Sequence, residues 1–398
     1  MALRALARVN LAAIERNVAH LRAGLAGDAR LCAVVKANAS GHGAVAAARA
    51  SLAGGASMLA VATADEAAEL RAAGIGGPLL VMGALSAQEL PVALQAEAEL
   101  VAWTDQFVAE VATAVAAGTA RAPVRLHVKY DSGMGRLGTR DREAALAVVD
   151  RVLAGAPALT LAGAMTHFAT ADGDREFLAA QLRTFAPFAA AVRARAPHAV
   201  IHTANSAATV REPRSHFDLV RCGIAIYGCD PMNRNPDHYG LEPALELTSY
   251  VAAVKLAQAG DSAGYGRRFV AEEDTWIATL PIGYADAIRR SLTNNCDVLI
   301  GGRRYPLVGT VSMDNVTVAL GREPAARVGD VATFVGRDGG ERQTIEDLAN
   351  RMDTIAHEVL CGISARVPRE YHRDGVPAPD AAAPARERIS AADEVAAR

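Results

Sequence analysis

The sequence predicts an α/β protein built as a (β/α)8 TIM-like barrel followed by a mostly β C-terminal domain. Three observations carry this. Eight short apolar runs alternate with amphipathic stretches between residues 31 and 228, and the texture turns to longer β-rich segments after about residue 240. The 398 residues also exceed the size at which a single core usually stops growing, so two domains are the natural estimate.

The runs are LCAVVKA (31–37), SMLAVAT (57–63), PLLVMG (78–83), ELVAWT (99–104), RLHVKYD (125–131), LTLAGAMTH (159–167), AVIHTANS (199–206) and LVRCGIAIYG (219–228). Between them lie segments of helical spacing such as ADEAAELRAAG and DREAALAVVDRVLAGA. Strand then helix, repeated, implies parallel strands buried on both faces. Eight such units close into a barrel, although a doubly wound open sheet alternates in the same way. The second domain is read from LTSYVAAVKLAQAG, TWIATLPIGYAD, CDVLIGGRRYPLVGTVSMDNVTVAL and DVATFVGR. One helix, TIEDLANRM, interrupts it, with Thr344 as N-cap and Glu346 and Asp347 at its positive end. The barrel is thus expected over 1–240 and the β domain over 241–374. Residues 375–398, Pro- and Ala-rich with few large apolar side chains, read as a mobile tail whose last part could form a marginal helix.

Composition narrows the function classes. Lysine plus arginine number 41 against 44 acidic residues, a formal charge of −3, so no field suited to nucleic acid is expected. Five scattered cysteines without a CxxC pair argue against a disulfide framework or a zinc site, and a reducing cytoplasm fits best. No metal site is expected. The absence of a long apolar stretch supports neither secretion nor membrane insertion.

In a barrel, chemistry gathers at the C-terminal ends of the strands. Lys36 ends the first run, Arg136 follows the fifth in a Gly-rich loop, and His167 ends the sixth. Asn205 and Ser206 end the seventh, and Arg221 with Gly223 falls in the eighth. Each has a bland reading: Lys36 as a snorkelling anchor, His167 as a satisfied core histidine, Arg221 as an ion-pair member. Their convergence on one mouth is what an anionic, phosphorylated ligand with a carbonyl group requires. An amine can condense with an aldehyde, a serine hydroxyl and backbone N–H groups can hold a phosphate, and arginine can meet an aromatic nitrogen or an anion. Pyridoxal 5'-phosphate satisfies all three; a sugar phosphate held as in an aldolase is the alternative at this level.

The ordered motifs AVVKANASGHG, HVKYDSGMGRLG, THFATAD, HTANSAA, VRCGIAIYG, SAGYGRRF, PIGYAD, VGTVSMDN and RVPREY go further. With them the chain resembles the alanine racemases, fold-type III pyridoxal-phosphate enzymes, over about residues 5–372. The resemblance implies a head-to-tail homodimer whose active sites use both chains, acting on a small amino acid. It makes Lys36 the Schiff-base lysine and one acid/base group, and Tyr265 from the partner chain the other. Inverting a stereocentre needs a proton removed on one face and returned on the other, which two such groups supply. It also implies Arg221 facing the pyridine nitrogen with His167 orienting it, and Ser206, Gly223 and Ile224 on the phosphate with Asn205 close by. Arg136 would sit near the cofactor hydroxyl and the substrate carboxylate, the Met313 backbone N–H from the partner chain would help bind that carboxylate, and Tyr284 would stand at the site entrance. Lys129 resembles a position carbamylated in some members. Taken singly, Tyr265 could be a packing residue of the β domain and Met313 a core residue.

Three positions depart from the family pattern. Ser40 and His357 stand where the family usually has tyrosines that contact the phosphate or line the entrance, and Thr310 stands where arginine is common. Serine is shorter, so the Ser40 change predicts weaker cofactor retention, by roughly 1.5–3 kcal/mol unless water or His357 substitutes. It also predicts a roomier site, so a racemase of serine or a larger amino acid is the alternative to alanine. A lyase or aldolase on the same scaffold, and a cofactor-holding barrel without turnover, are the further readings.

Overall fold

The computed structural model describes residues 3–120 and 123–382. They form two compact units. The barrel unit takes in Ile14–Ala39 and Gly43–Ile226, with the described residues from Asp380; the β unit takes in the N-terminal residues to Ala13, Ser40–His42 and Tyr227–Pro379.

Strand β1 (Leu6–Asn10) is not part of the barrel. The barrel strands are β2 (Arg30–Val34), β3 (Met58–Val61), β4 (Leu79–Val81), β5 (Glu99–Ala102), β6 (Val124–Lys129), β7 (Leu159–Met165), β8 (Val200–His202) and β9 (Leu219–Cys222). Six lie within the apolar runs seen in the sequence, and β2 and β6 each start one residue before theirs. They pair in parallel in the order β8-β7-β6-β5-β4-β3-β2-β9, a barrel closed except for a ladder between β8 and β9. Alternate residues point inward, and Cys32, Val34, Met58, Ala60, Leu80, Val101, Met165 and Leu219 fill the interior as one apolar cluster. Helices begin where the sequence supplies caps: Thr63 accepts from Glu66 N, and Asp141 and Asp174 each accept two N–H groups.

The β unit contains β10 (Leu245–Tyr250), β11 (Ala253–Ala257), β12 (Ser262–Ala263), β13 (Phe269–Val270), β14 (Thr275–Leu280) and β15 (Asp297–Ile300). It continues with β16 (Arg303–Val308), β17 (Val316–Gly321), β18 (Val331–Asp338), β19 (Glu341–Gln343), β20 (Arg369–Arg373) and β21 (Val376–Pro377). β1 joins this sheet, antiparallel to β10 and parallel to β20. Five residues of alternating burial, iBiBi in pattern, are too short a signal to assign to a distant sheet from sequence. The change of unit falls at Ile226/Tyr227, and the described residues up to Ala13 belong to the β unit. GIAIYG, expected to extend the eighth strand, instead turns as a 3-10 helix over Ile224–Tyr227.

The helix after β19 spans Ile345–Arg351. Thr344 and Asp347 cap it reciprocally, Asp347 N–H to Thr344 Oγ1 at 3.2 Å and Thr344 N–H to Asp347 Oδ2 at 2.8 Å. Glu346, also in the first turn, is buried and in addition accepts from Asp230 N–H at 2.8 Å. Residues 376–377 pair with β20 and 379–382 form a helical turn, so the expected mobile tail begins with ordered chain. Its remainder, 383–398, lies outside the described residues. Among the described residues no helix is long and apolar enough to cross a membrane.

Candidate active site

The chain leaves β2 through Lys36, which is exposed, and then turns left-handed. Ala37, Asn38, Ala39 and Ser40 have φ of 53°, 52°, 54° and 49°. Each L-residue held there costs about 1–2 kcal/mol, so the surroundings must enforce the turn. Ala39 N–H donates to Val35 O at 2.9 Å, Gly43 N–H to Asn38 O at 3.0 Å, and Ala44 N–H to Asn38 Oδ1 at 2.8 Å. Glu66 closes the arrangement, accepting from Ala37 N–H at 2.5 Å with one oxygen and from Ala62 N–H at 2.8 Å with the other. Gly41, at φ 84°, has no room for a Cβ, which would lie 2.5 Å from Leu360 O.

Around Lys36 the barrel mouth is cationic. Lys129, at the end of β6, is buried; burial, then Arg221 and Arg136, brings its amine down to about 8. The Arg136 loop is shaped by Asp131, whose carboxylate accepts from Gly133, Met134 and Gly135 N–H at 2.7–3.1 Å and from Arg140 Nε at 3.1 Å. Burial raises the Asp131 carboxyl, but these donors prevail and hold it below its usual value. Arg221 is buried at the end of β9. Its guanidinium donates to Thr166 O (2.9 Å), His202 O (3.0 Å) and Thr203 O (3.1 Å), and lies 3.2 Å from His167 Nδ1. Because arginine only donates, His167 Nδ1 must accept and its proton sits on Nε2. Burial, then Arg221, Lys129, Arg136 and Lys36, keeps His167 neutral, well below its ordinary pKa.

On the next strand ends, Asn205 caps the turn of helix at Ser206–Arg211 through Ala208 N–H at 3.0 Å. Ser206 Oγ accepts from Gly223 N–H at 2.9 Å and from Ala225 N–H at 3.4 Å, so its own hydrogen is left to donate. A hydroxyl and the start of the 3-10 turn at Ile224 thus stand together, as an oxyanion requires. Lys36, Lys129, Arg136, His167, Asn205, Ser206, Arg221, Gly223 and Ile224 all belong to the barrel unit.

Tyr265, Tyr284, Thr310, Met313 and His357 belong to the β unit, as does Ser40. Four of these are tied into one loop cluster. Thr310 Oγ1 donates to Tyr265 O at 2.6 Å, Tyr284 N–H to Ser312 O at 3.0 Å, and Ala285 N–H to Met313 O at 3.1 Å. Gly264 and Gly283 permit the approach, since a Cβ there would meet Thr310 N at 2.9 Å and Met313 O at 2.4 Å. Tyr265 is 75% and Met313 51% exposed, so neither is a core residue of its unit. His357 is exposed on the short helix Ala356–Cys361.

Sequence reasoning missed Glu66, Glu99, His127 and His202. Glu66 was legible only as the N3 residue of a capping box; its second oxygen, on Ala37 N–H, is a tertiary fact. Polar residues at inward-facing positions of β5, β6 and β8 were the available signal for the other three.

The comparisons agree with this architecture. The model of the alanine racemase N-terminal domain matches residues 9–231, and that of the alanine racemase C-terminal domain matches 244–371. Alanine racemase 1 of Bacillus subtilis is 38% identical over 377 residues, covering 93% of each chain. Alanine racemase of Geobacillus stearothermophilus is 41% identical over 371 residues, 92% of this chain and 93% of the relative. The crystal structure of alanine racemase from the D-cycloserine producer Streptomyces lavendulae superposes with a TM-score of 0.88 at 37% identity, covering 94% of this chain and 98% of that one. The fold, the mouth of the barrel and these relatives define an isomerase, a racemase. The chain belongs to the alanine racemase family.

Proposed function

We propose that this racemase interconverts L- and D-alanine with pyridoxal 5'-phosphate as cofactor, by a two-base mechanism shared between two chains. The observation that carries the reading is the donor set at the barrel mouth: one amine at a strand end, a buried guanidinium, and a hydroxyl beside backbone N–H groups. That set fits the aldehyde, ring nitrogen and phosphate of this cofactor, and the names of the relatives favour alanine. When bound, the cofactor delocalises the electron pair left on the amino acid's Cα.

The chain's own residues do the rest. Lys36 Nζ holds the cofactor and moves a proton at Cα on one face. Tyr265 Oη of a second chain moves it on the other, which accounts for a tyrosine left exposed on its own unit. Arg221 meets the ring nitrogen; a guanidinium keeps its protons, so that nitrogen gains none and side transamination is restrained. His167 accepts from Arg221 and orients it. Ser206 Oγ and Ile224 N–H, with Asn205 close by, hold the phosphate, Gly223 N–H supporting it through Ser206 Oγ, and His357 serves it in the place of the usual tyrosine. Arg136, with the Met313 N–H of the second chain, binds the substrate carboxylate, while Tyr284 borders the entrance. The homodimer follows from the two-chain site.

A second reading rests on Ser40. The shorter side chain leaves space, so serine or a larger amino acid would also be turned over. A Cα deuterium-exchange survey across the amino acids, run with added pyridoxal phosphate, tests both. Alanine exchanging far faster than the others is the expected result; faster exchange of a larger amino acid favours the second reading, and aldehyde release from β-hydroxy amino acids would mark a lyase.

A further inference from the structure

A chain of buried polar side chains crosses the barrel interior from β5 to β9. Glu99 Oε2 lies 2.6 Å from His127 Nε2, His127 Nδ1 lies 2.8 Å from His202 Nε2, and His202 Nδ1 lies 3.0 Å from Arg221 Nη1. All four residues are buried. At the start of β6, on the same strand face as His127, half-exposed Arg125 donates through Nε to Glu99 Oε1 at 2.7 Å.

Donor arithmetic fixes every proton in this chain. Arginine can only donate, so His202 Nδ1 accepts and His202 carries its hydrogen on Nε2. His127 Nδ1 then accepts and His127 carries its hydrogen on Nε2, where ionised Glu99 receives it. His202 stays neutral, held well below its ordinary pKa by burial and then by Arg221. Burial raises the Glu99 carboxyl, but His127 and Arg125 outweigh it and hold Glu99 below 4.5. Burial lowers Arg221 only to about 10. Ionised Glu99 and charged Arg221 are thus both the favoured states, so the chain does not conduct a proton but fixes its direction.

The backbone is arranged for this contact. β7 lies between β6 and β8, and any side chain facing inward there would block His127 from His202. The residue is Gly163: an added Cβ would sit 2.5 Å from His127 Nδ1 and 2.5 Å from Val200 O.

We propose that Glu99 is a positioning residue for Arg221, acting through the matched tautomers of His127 and His202. It rests on the reading above that Arg221 meets the cofactor's ring nitrogen. No carboxylate touches the guanidinium among the described contacts, and Glu99 is the anion this chain reaches. The two hydrogen-bonded imidazoles transmit its charge and hold Arg221 in one orientation.

The test combines tautomers with kinetics. In the wild-type protein, 15N-histidine spectra should show His127 and His202 each with hydrogen on Nε2, and His202 neutral throughout pH 6–9; hydrogen on Nδ1 of either, or a titration of His202, overturns the proposal without any variant. In Glu99→Gln the amide oxygen is claimed by Arg125, leaving an N–H toward His127 Nε2. His127 must then carry its hydrogen on Nδ1, and His202 in turn on its own Nδ1, against the Arg221 N–H. Racemase kcat should fall about tenfold with KM little changed, and transamination per turnover should rise. Adding Arg125→Leu frees the amide oxygen for His127 and should restore both the tautomers and kcat. Unchanged tautomers and kcat in Glu99→Gln, or a double variant worse than the single, would overturn it. Absent racemisation by the wild type would instead fail the reading of the reaction and leave the tautomer result standing.

Discussion

Removing Glu66 should loosen the turn that carries the chain away from Lys36. Four consecutive non-glycine residues at φ 49–54° cost about 4–8 kcal/mol together at 1–2 each, and few contacts hold them. Glu66 supplies three: Ala37 N–H at 2.5 Å, Ala62 N–H at 2.8 Å and Thr63 N–H at 3.3 Å. These are partly solvated, so about 1 kcal/mol each is the fair estimate, and Glu66→Ala should cost about 2–3 kcal/mol. Urea denaturation followed by tryptophan fluorescence measures this, with Glu66→Gln as the control that keeps an acceptor toward Ala37 and loses roughly half as much. Cofactor affinity should fall in the same order. If Glu66→Ala lies within about 0.5 kcal/mol of wild type, the turn is held by its own hydrogen bonds and the account of Glu66 is wrong.

Thr310→Val removes the donor to Tyr265 O; it should cost about 1–2 kcal/mol and slow the proton transfer assigned to Tyr265 more than the one assigned to Lys36, as stereospecific exchange would show. Asp286 is fully buried; burial raises its carboxyl, but Arg4, at 2.5 and 2.9 Å, and Gly283 N–H, at 2.9 Å, hold it below 3.8. Its contribution is therefore present above about pH 3.8 and lost as the pH falls below that through the depressed folded value, so wild type should lose stability as the pH is taken below about 4 and Asp286→Asn should lose less over that range. Ser40→Tyr should tighten pyridoxal phosphate by about ten- to a hundredfold, read by equilibrium dialysis, since one bond to a charged phosphate is worth about 1.5–3 kcal/mol.

The barrel strands were legible because each is a short apolar run ended by polar residues, and the Thr344 cap because its partner lies three residues away. β1 was not, since five alternating residues say nothing of a partner 235 or more positions later: Leu6 faces Thr248 and Ala7 faces Arg369. Within the site, the strand-end residues could be read from position alone, because a barrel gathers them whatever lies between. The Glu99–His127–His202 chain could not, as it depends on which histidines share the interior and on the gap left by Gly163. Thr310 reads as a change in the pocket wall, whereas its hydroxyl in fact ties down the Tyr265 turn.

The two-base reading makes Tyr265 and Lys36 responsible for opposite faces of Cα. Proton–deuterium exchange of L-alanine and D-alanine, measured separately for wild type and Tyr265→Phe with pyridoxal phosphate present, tests it most directly. Wild type should exchange both enantiomers, while Tyr265→Phe should retain exchange of one and lose that of the other by several orders of magnitude. Equal, undiminished exchange of both by Tyr265→Phe would contradict the account.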